Sequence, residues 1–225
     1  MARLPRLALA GQAHLALMLG HSAQPVFADD DDRRQFLAAL RESALQHGVA
    51  VHAYALLPSQ VLLLLTPATD TALGALMQGL GRRYGAAFNR RHGRSGSLWA
   101  GRFRTAVVQA GAPLLEALLF VDLQGQAGGP AAWPWCSLGH HLGERQDPLV
   151  TDGSAWWALG NTPFEREAAY RRRVDDGLPP ARAAALADAA HKGWAVGDAV
   201  FLAALARQTD RPLQPRPRGR PRRAP

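Results

Sequence analysis

Residues 53–66 read Ala-Tyr-Ala-Leu-Leu-Pro-Ser-Gln-Val-Leu-Leu-Leu-Leu-Thr. Few folds accept such a stretch. Pro58 has no amide proton, so it belongs in a corner or at a strand start rather than inside a ladder. Two apolar runs therefore meet at a Pro-Ser turn, which predicts two strands, 50–57 and 61–66. Residues 61–65 are apolar at every position. A strand of that kind is covered on both faces, so the sheet containing it carries layers on each side.

The remaining elements follow from periodicity. Residues 13–19 predict a first strand, and the Gly-to-Pro loop at 20–25 ends it. The acidic run at 29–32 opens a helix, where carboxylates meet the positive end of the dipole. That run invites a metal reading, and capping explains it better. Phe36, Leu37, Leu40 and Leu45 form the apolar stripe of this helix, and Gly48 stops it. Thr69 and Asp70 cap a second helix reaching about His92. Its Leu73, Leu76, Met77, Leu80, Tyr84 and Phe88 recur at helical spacing and face the core. Residues 105–108 predict a fourth strand and 112–124 a third helix. Residues 163–206 are helical and split at Gly177-Leu178-Pro179-Pro180.

Strand, helix, strand, strand, helix, strand, helix is the order of an α+β fold. The expected architecture is a ferredoxin-like sandwich with a mainly antiparallel four-stranded sheet. Three regions are expected: an α+β domain at 1–127, a helical C-terminal region at 128–210 and a disordered Arg/Pro-rich tail at 211–225. The tail has no apolar pattern with which to fold alone.

Charge narrows the function. The net charge is +8 and the pI about 11.0. Lys192 is the only lysine among the 26 basic residues, so the excess is almost wholly Arg. Codon bias explains an Arg-rich composition but not its clustering. Arg82, Arg83, Arg90 and Arg91 lie in the second half of the second helix. Arg94, Arg102 and Arg104 lie in a Gly-rich loop, 93–104, with Trp99 and Phe103. Such a loop lets backbone approach phosphates while Arg supplies charge. Trp99 is expected to be buried rather than stacked on a base. Arg218, Arg220 and Arg222 lie in the tail, in an Arg-Gly-Arg-Pro core like that of an AT-hook, which lies in a narrow A·T minor groove. A solvated basic tail that binds any polyanion explains the same residues equally well.

Cys136 is the sole cysteine, so neither an internal disulfide nor a Cys-based zinc site is expected. Apolar runs are shorter than a membrane span. Residues 7–19 are interrupted by Gly11, Gln12 and His14 and do not read as a secretory leader. The expected location is the cytoplasm. His140 and His141 are adjacent and point different ways, which argues against a metal there.

Several segments resemble one family. Residues 92–103, His-Gly-Arg-Ser-Gly-Ser-Leu-Trp-Ala-Gly-Arg-Phe, the Gly-x-x-x-Gln-Pro-Val-Phe at 20–27, and Trp135-Cys136-Ser137 followed by Asp147-Pro148-Leu149 are similar to the REP-associated tyrosine transposases, which belong to the single-tyrosine HUH group. In that family the Pro-Ser corner precedes His-hydrophobe-His, which holds Mg2+ or Mn2+. The third helix carries a nucleophilic tyrosine in Tyr-hydrophobe-acid-Leu-Asn-Pro. Here Gln60 and Leu62 stand at the histidine positions and Phe120 at the tyrosine. His21-Ser22-Ala23 replaces the usual Asn-Asn-Arg.

The family reaction needs a phenolate nucleophile and a metal that polarises the scissile phosphate. At the matched positions this chain has neither, so no metal cofactor is expected. The resemblance implies a DNA-binding protein for single-stranded or hairpin-forming DNA, forming a homodimer, with its catalytic residues lost. Two alternatives stand beside it. One is an active nuclease using Tyr54, Tyr84 or Tyr170. The other is a non-catalytic structural relic.

Overall fold

The structure is a computed structural model and describes residues 7–125 and 133–215. Four strands form one sheet: β1 (Ala13–Leu19), β2 (Val49–Leu57), β3 (Gln60–Pro67) and β4 (Arg104–Val108). Their order is β2-β3-β1-β4, with every neighbouring pair antiparallel. Helix α1 (Asp30–His47) links β1 to β2, and α2 (Ala72–Arg91) links β3 to β4. β3 thus sits between the two strands that α1 connects, the split arrangement of a ferredoxin-like sandwich.

Both faces of β3 are buried, as its sequence requires. Val61, Leu63 and Leu65 pack with α1 and α2. Leu62 and Leu64 pack on the other face, against α3 (Ala112–Asp122) and residues beyond 133. On β2 the alternation changes phase at a bulge between Val51 and Ala53. His52, at the bulge, bonds Thr151 O at 2.7 Å and Thr66 Oγ1 at 2.8 Å. It is a structural residue.

Local chemistry sets the ends of α1. Asp29 Oδ1 accepts from Asp32 N at 3.0 Å, and Gly48 closes the helix at φ 63°. Leu45 is 76% exposed and does not join the stripe. It follows Leu40 by five residues, about 140° around the helix, so it points away from Phe36, Leu40 and Ala44. At α2 the cap differs from expectation too. Thr71 is the N-cap and its side chain caps nothing. Asp70 instead accepts from Ala10 N at 2.6 Å, tying the loop before β1 to the loop before α2.

Short helices α4 (Leu138–His141) and α5 (Ser154–Trp157) precede three longer ones, α6 (Pro163–Asp176), α7 (Pro180–Lys192) and α8 (Ala199–Ala206). Segments from this region run along both outer strands. Leu56 N donates to Trp135 O and Ser137 N to Tyr54 O beside β2. Val196 N donates to Val107 O and Gln109 N to Val196 O beside β4. The first residues of the tail are docked, contrary to expectation. Leu213 is buried with Leu7, Val107 and Leu205, Ala195 N donates to Leu213 O, and Arg211 Nη2 donates to Gly193 O at 2.6 Å. One apolar residue, one backbone bond and one guanidinium bond anchor what composition alone reads as solvated. Among the described residues no helix is long and apolar enough to cross a membrane.

Candidate functional site

Gln60 and Leu62 lie two residues apart on β3, so period-2 geometry sends both side chains to one face. Gln60 sits between Leu19 and Leu57 in register, and Leu62 between Leu17 and Ala55. Leu62 and Phe120 are 3% and 5% exposed and belong to the same buried cluster. The three positions singled out from sequence therefore share one face of the sheet. The face is apolar: Leu17, Leu19, Leu57, Leu119 and Leu123 pack into the same cluster. A metal needs several oxygen or nitrogen ligands there, and Gln60 alone offers one amide. Among the described residues no group of three or more His, Cys, Asp or Glu side chains could hold a metal ion.

None of the three tyrosines is available as a substitute nucleophile. Tyr54 is 2% exposed and its hydroxyl donates to Asp147 Oδ2 at 2.5 Å. Tyr84 is 1% exposed and donates to Val26 O at 2.6 Å, inside a cluster of Phe27, Phe36, Phe88 and Trp99 rings. Tyr170 is fully buried and donates to Asp122 Oδ2. Burial pushes all three phenols far above their ordinary range; Asp147 adds to this at Tyr54 and Asp122 at Tyr170. A phenolate is strongly disfavoured at each.

The Asp122 cluster was not visible from sequence. Asp122 lies at the end of α3, two residues after Phe120, and is 0% exposed. It accepts from Ser137 Oγ and Tyr170 OH, and His141 Nδ1 lies 2.7 Å from its Oδ2. Ser137 Oγ also accepts from Tyr54 N at 2.9 Å. One carboxylate thus joins α3, α4, α6 and the outer side of β2. His140 turns elsewhere, with Nδ1 accepting from Asp147 N and Nε2 3.4 Å from Asp152. The two histidines serve different carboxylates. Burial pushes the Cys136 thiol up to about 11, so it is a structural side chain.

The basic residues divide by how they are engaged. Arg91 is committed within the protein. It donates to Asp29 and Asp32 at 2.6–2.8 Å and reaches Asp31 at 3.4 Å. His92 Nε2 lies 3.0 Å from both Asp32 oxygens. The acidic run therefore caps α1 and also clamps the end of α2, a second role that capping alone did not suggest. Arg91 holds the Asp29 carboxyl well below the usual carboxylate range. Arg83 pairs with Glu42, and Arg94 donates to Gln24 Oε1 at 2.9 Å. Arg104 contacts His191, with Nη1 3.0 Å from Nδ1. Arg82, Arg90 and Arg102 are exposed and make no hydrogen bond or ion pair among the described residues. Arg218, Arg220 and Arg222 lie outside the described residues.

The Gly-rich loop is anchored by Trp99, as expected. Trp99 is 9% exposed and its Nε1 donates to Gly81 O at 3.0 Å. The loop at 20–24 is tight for a stated reason. A Cβ on Gly20 would stand 2.2 Å from Gln24 O. Ser22 and Ala23 then take φ 51° and 57°, the left-handed region that L side chains avoid. Between α2 and residues 96–103 lies a cleft of about 730 Å³, which sequence reading missed. Gly74, Gly81 and Gly85 line it at spacings of seven and four, one helix face, so the signal was present.

No family model and no curated protein matches the chain. Solved structures do match. One is a REP-associated tyrosine transposase bound to a REP hairpin, with a TM-score of 0.50 and 13% identity over 69% of this chain and 93% of that one. Another is a provisionally assigned transposase from Deinococcus radiodurans R1, with a TM-score of 0.36 and 24% identity over 49% of this chain and 86% of that one. The chain has a transposase-like fold, with a four-stranded antiparallel sheet and helices on both faces.

Proposed function

We propose that this protein binds DNA as a catalytically degenerate homologue of the REP-associated tyrosine transposases. The reading rests on one observation. The positions matched to the second histidine and the tyrosine, Leu62 and Phe120, lie together in a buried apolar cluster, with Gln60 beside them on the same face. Geometry retained without chemistry is what loss of cleavage leaves behind. Similarity of fold to a protein solved with a DNA hairpin supports the nucleic-acid partner. Arg82, Arg90 and Arg102 supply cations that the fold itself does not use. The tail, with Arg218, Arg220 and Arg222, adds a second basic segment suited to A·T-rich duplex. A homodimer and a cytoplasmic setting complete the reading. Burial of Tyr54, Tyr84 and Tyr170 disfavours the alternative of an active nuclease using unaligned residues.

The test is one assay with two readouts. The full chain is incubated with a single-stranded hairpin across a salt series, with Mg2+ or Mn2+ and with EDTA. Affinity is expected to fall steeply with salt, because each phosphate contact releases counterions. No covalent adduct is expected on a denaturing gel. A salt-independent or absent interaction removes the DNA reading. An adduct abolished by EDTA removes the degenerate one.

A further inference from the structure

The fold keeps the cleft between α2 and residues 96–103 open at a cost. Glycine weakens a helix interior. Three of the four glycines of α2 nevertheless face this cleft. Gly74 has nothing within 4 Å of where a Cβ would stand, and Gly81 and Gly85 would meet only ordinary contacts. Neither backbone strain nor crowding accounts for glycine there. What the missing side chains leave is room.

The lining has a definite chemistry. Met18 and Met77 form an apolar floor of the kind that packs against flat rings. Arg82 and Arg102 line the same cleft without partners among the described residues, and no Asp or Glu lines it. Asn89 donates from Nδ2 to Gly96 O at 2.8 Å, while its Oδ1 is buried and has no partner. Asn89 is itself one of the residues that line the cleft. About 730 Å³ lies within the usual range of small-ligand sites, roughly 300–1,000 Å³.

We propose that this cleft takes one unpaired nucleotide of a DNA single strand, its base over Met18 and Met77, its edge toward Asn89 and its phosphates toward Arg82 and Arg102. The proposal rests on the DNA-binding reading and goes further, because it assigns a base-reading site rather than a phosphate-binding surface. A paired base in a stacked duplex presents no free face, so the strand must be single or the base extruded.

A Cβ at Gly74 meets nothing within 4 Å, so Gly74→Leu puts a side chain into the cleft and favours the helix. Gly79→Leu, on the same helix outside the cleft, is the control; its Cβ also meets nothing within 4 Å. Fluorescence anisotropy is measured on the full chain with oligothymidylate and with the same strand carrying abasic sites. The unmodified protein is expected to bind the abasic strand about tenfold more weakly, the scale of one lost base contact. Gly74→Leu is expected to bind oligothymidylate about tenfold more weakly and the abasic strand unchanged, with Gly79→Leu like the unmodified protein. Equal binding of both strands by the unmodified protein overturns the proposal, as does undiminished oligothymidylate binding by Gly74→Leu. In both cases salt-dependent binding leaves the broader DNA reading intact. Binding of neither strand removes both.

Discussion

The Tyr170 hydroxyl donates to Asp122 Oδ2 at 2.7 Å, and through that bond α6 and α3 share one carboxylate inside the protein. Ser137 and His141 complete its surroundings. Losing one donor differs from losing the acceptor. Tyr170→Phe is expected to cost about 1.5–3 kcal/mol, the scale of a single hydrogen bond to a charged group. Asp122→Ala strands three buried groups and is expected to cost about 3–5 kcal/mol. Urea unfolding measures both; equal losses would mean that Asp122 is not the hub.

His14 makes stability depend on pH. The ring is 0% exposed, with Nδ1 bonded to Gln12 O at 2.7 Å and Nε2 accepting from Leu9 N. Burial lowers its pKa to about 4, against an ordinary 6.5. Between those values the unfolded chain binds the proton and the folded one does not, so acid favours unfolding. Stability should be complete above about pH 6.5 and fall toward pH 4, by about 3 kcal/mol from this residue. His52, lowered chiefly by burial, adds to the same slope. His14→Gln should flatten the dependence in denaturant titrations at several pH values; an unchanged slope would clear His14.

The tail should behave as two pieces. Removal of residues 216–225 is expected to leave the thermal midpoint where it is. Removal of residues 211–225 also strips Leu213 from its apolar cluster and Arg211 from Gly193, and should lower the midpoint. Burying a leucine side chain stabilises by about 1.5–3 kcal/mol. Differential scanning calorimetry on the two truncations decides it. Identical midpoints would show that the docked residues contribute nothing.

Ala23 holds φ 57° without the freedom of glycine or the tolerance of asparagine. The left-handed region costs an ordinary residue about 1–2 kcal/mol. Ala23→Gly recovers part of that and gives some back as unfolded-chain entropy. A net gain of about 0.5–1 kcal/mol is expected in equilibrium unfolding. A loss would mean that the Ala23 methyl makes a contact worth more than the strain.

What the sequence disclosed was what periodicity and turn chemistry encode locally. Residues 61–65 announced a strand covered on both sides, and Leu73, Leu76, Leu80 and Tyr84 announced the inner face of α2. The position of Phe120 relative to Leu62 was legible only through resemblance. The Asp122 hub was not legible, because its partners lie 15, 19 and 48 residues away and nothing local marks them. The ion pairs of Arg91 were hidden for a related reason. Composition counts it as a phosphate ligand, while tertiary placement spends it on Asp29 and Asp32.

The strands that flank the sheet, β2 and β4, each carry backbone partners from residues beyond 133. The hydrogen-bonding rims of the sheet are thereby sealed from within the chain over much of their length. A second copy would have little rim on which to add a strand. The same arrangement restrains the open-edge pairing that seeds aggregates. A fragment ending near residue 125 would keep all four strands and bare both rims at once. The residues beyond 133 thus cover the open rims of the chain's own sheet.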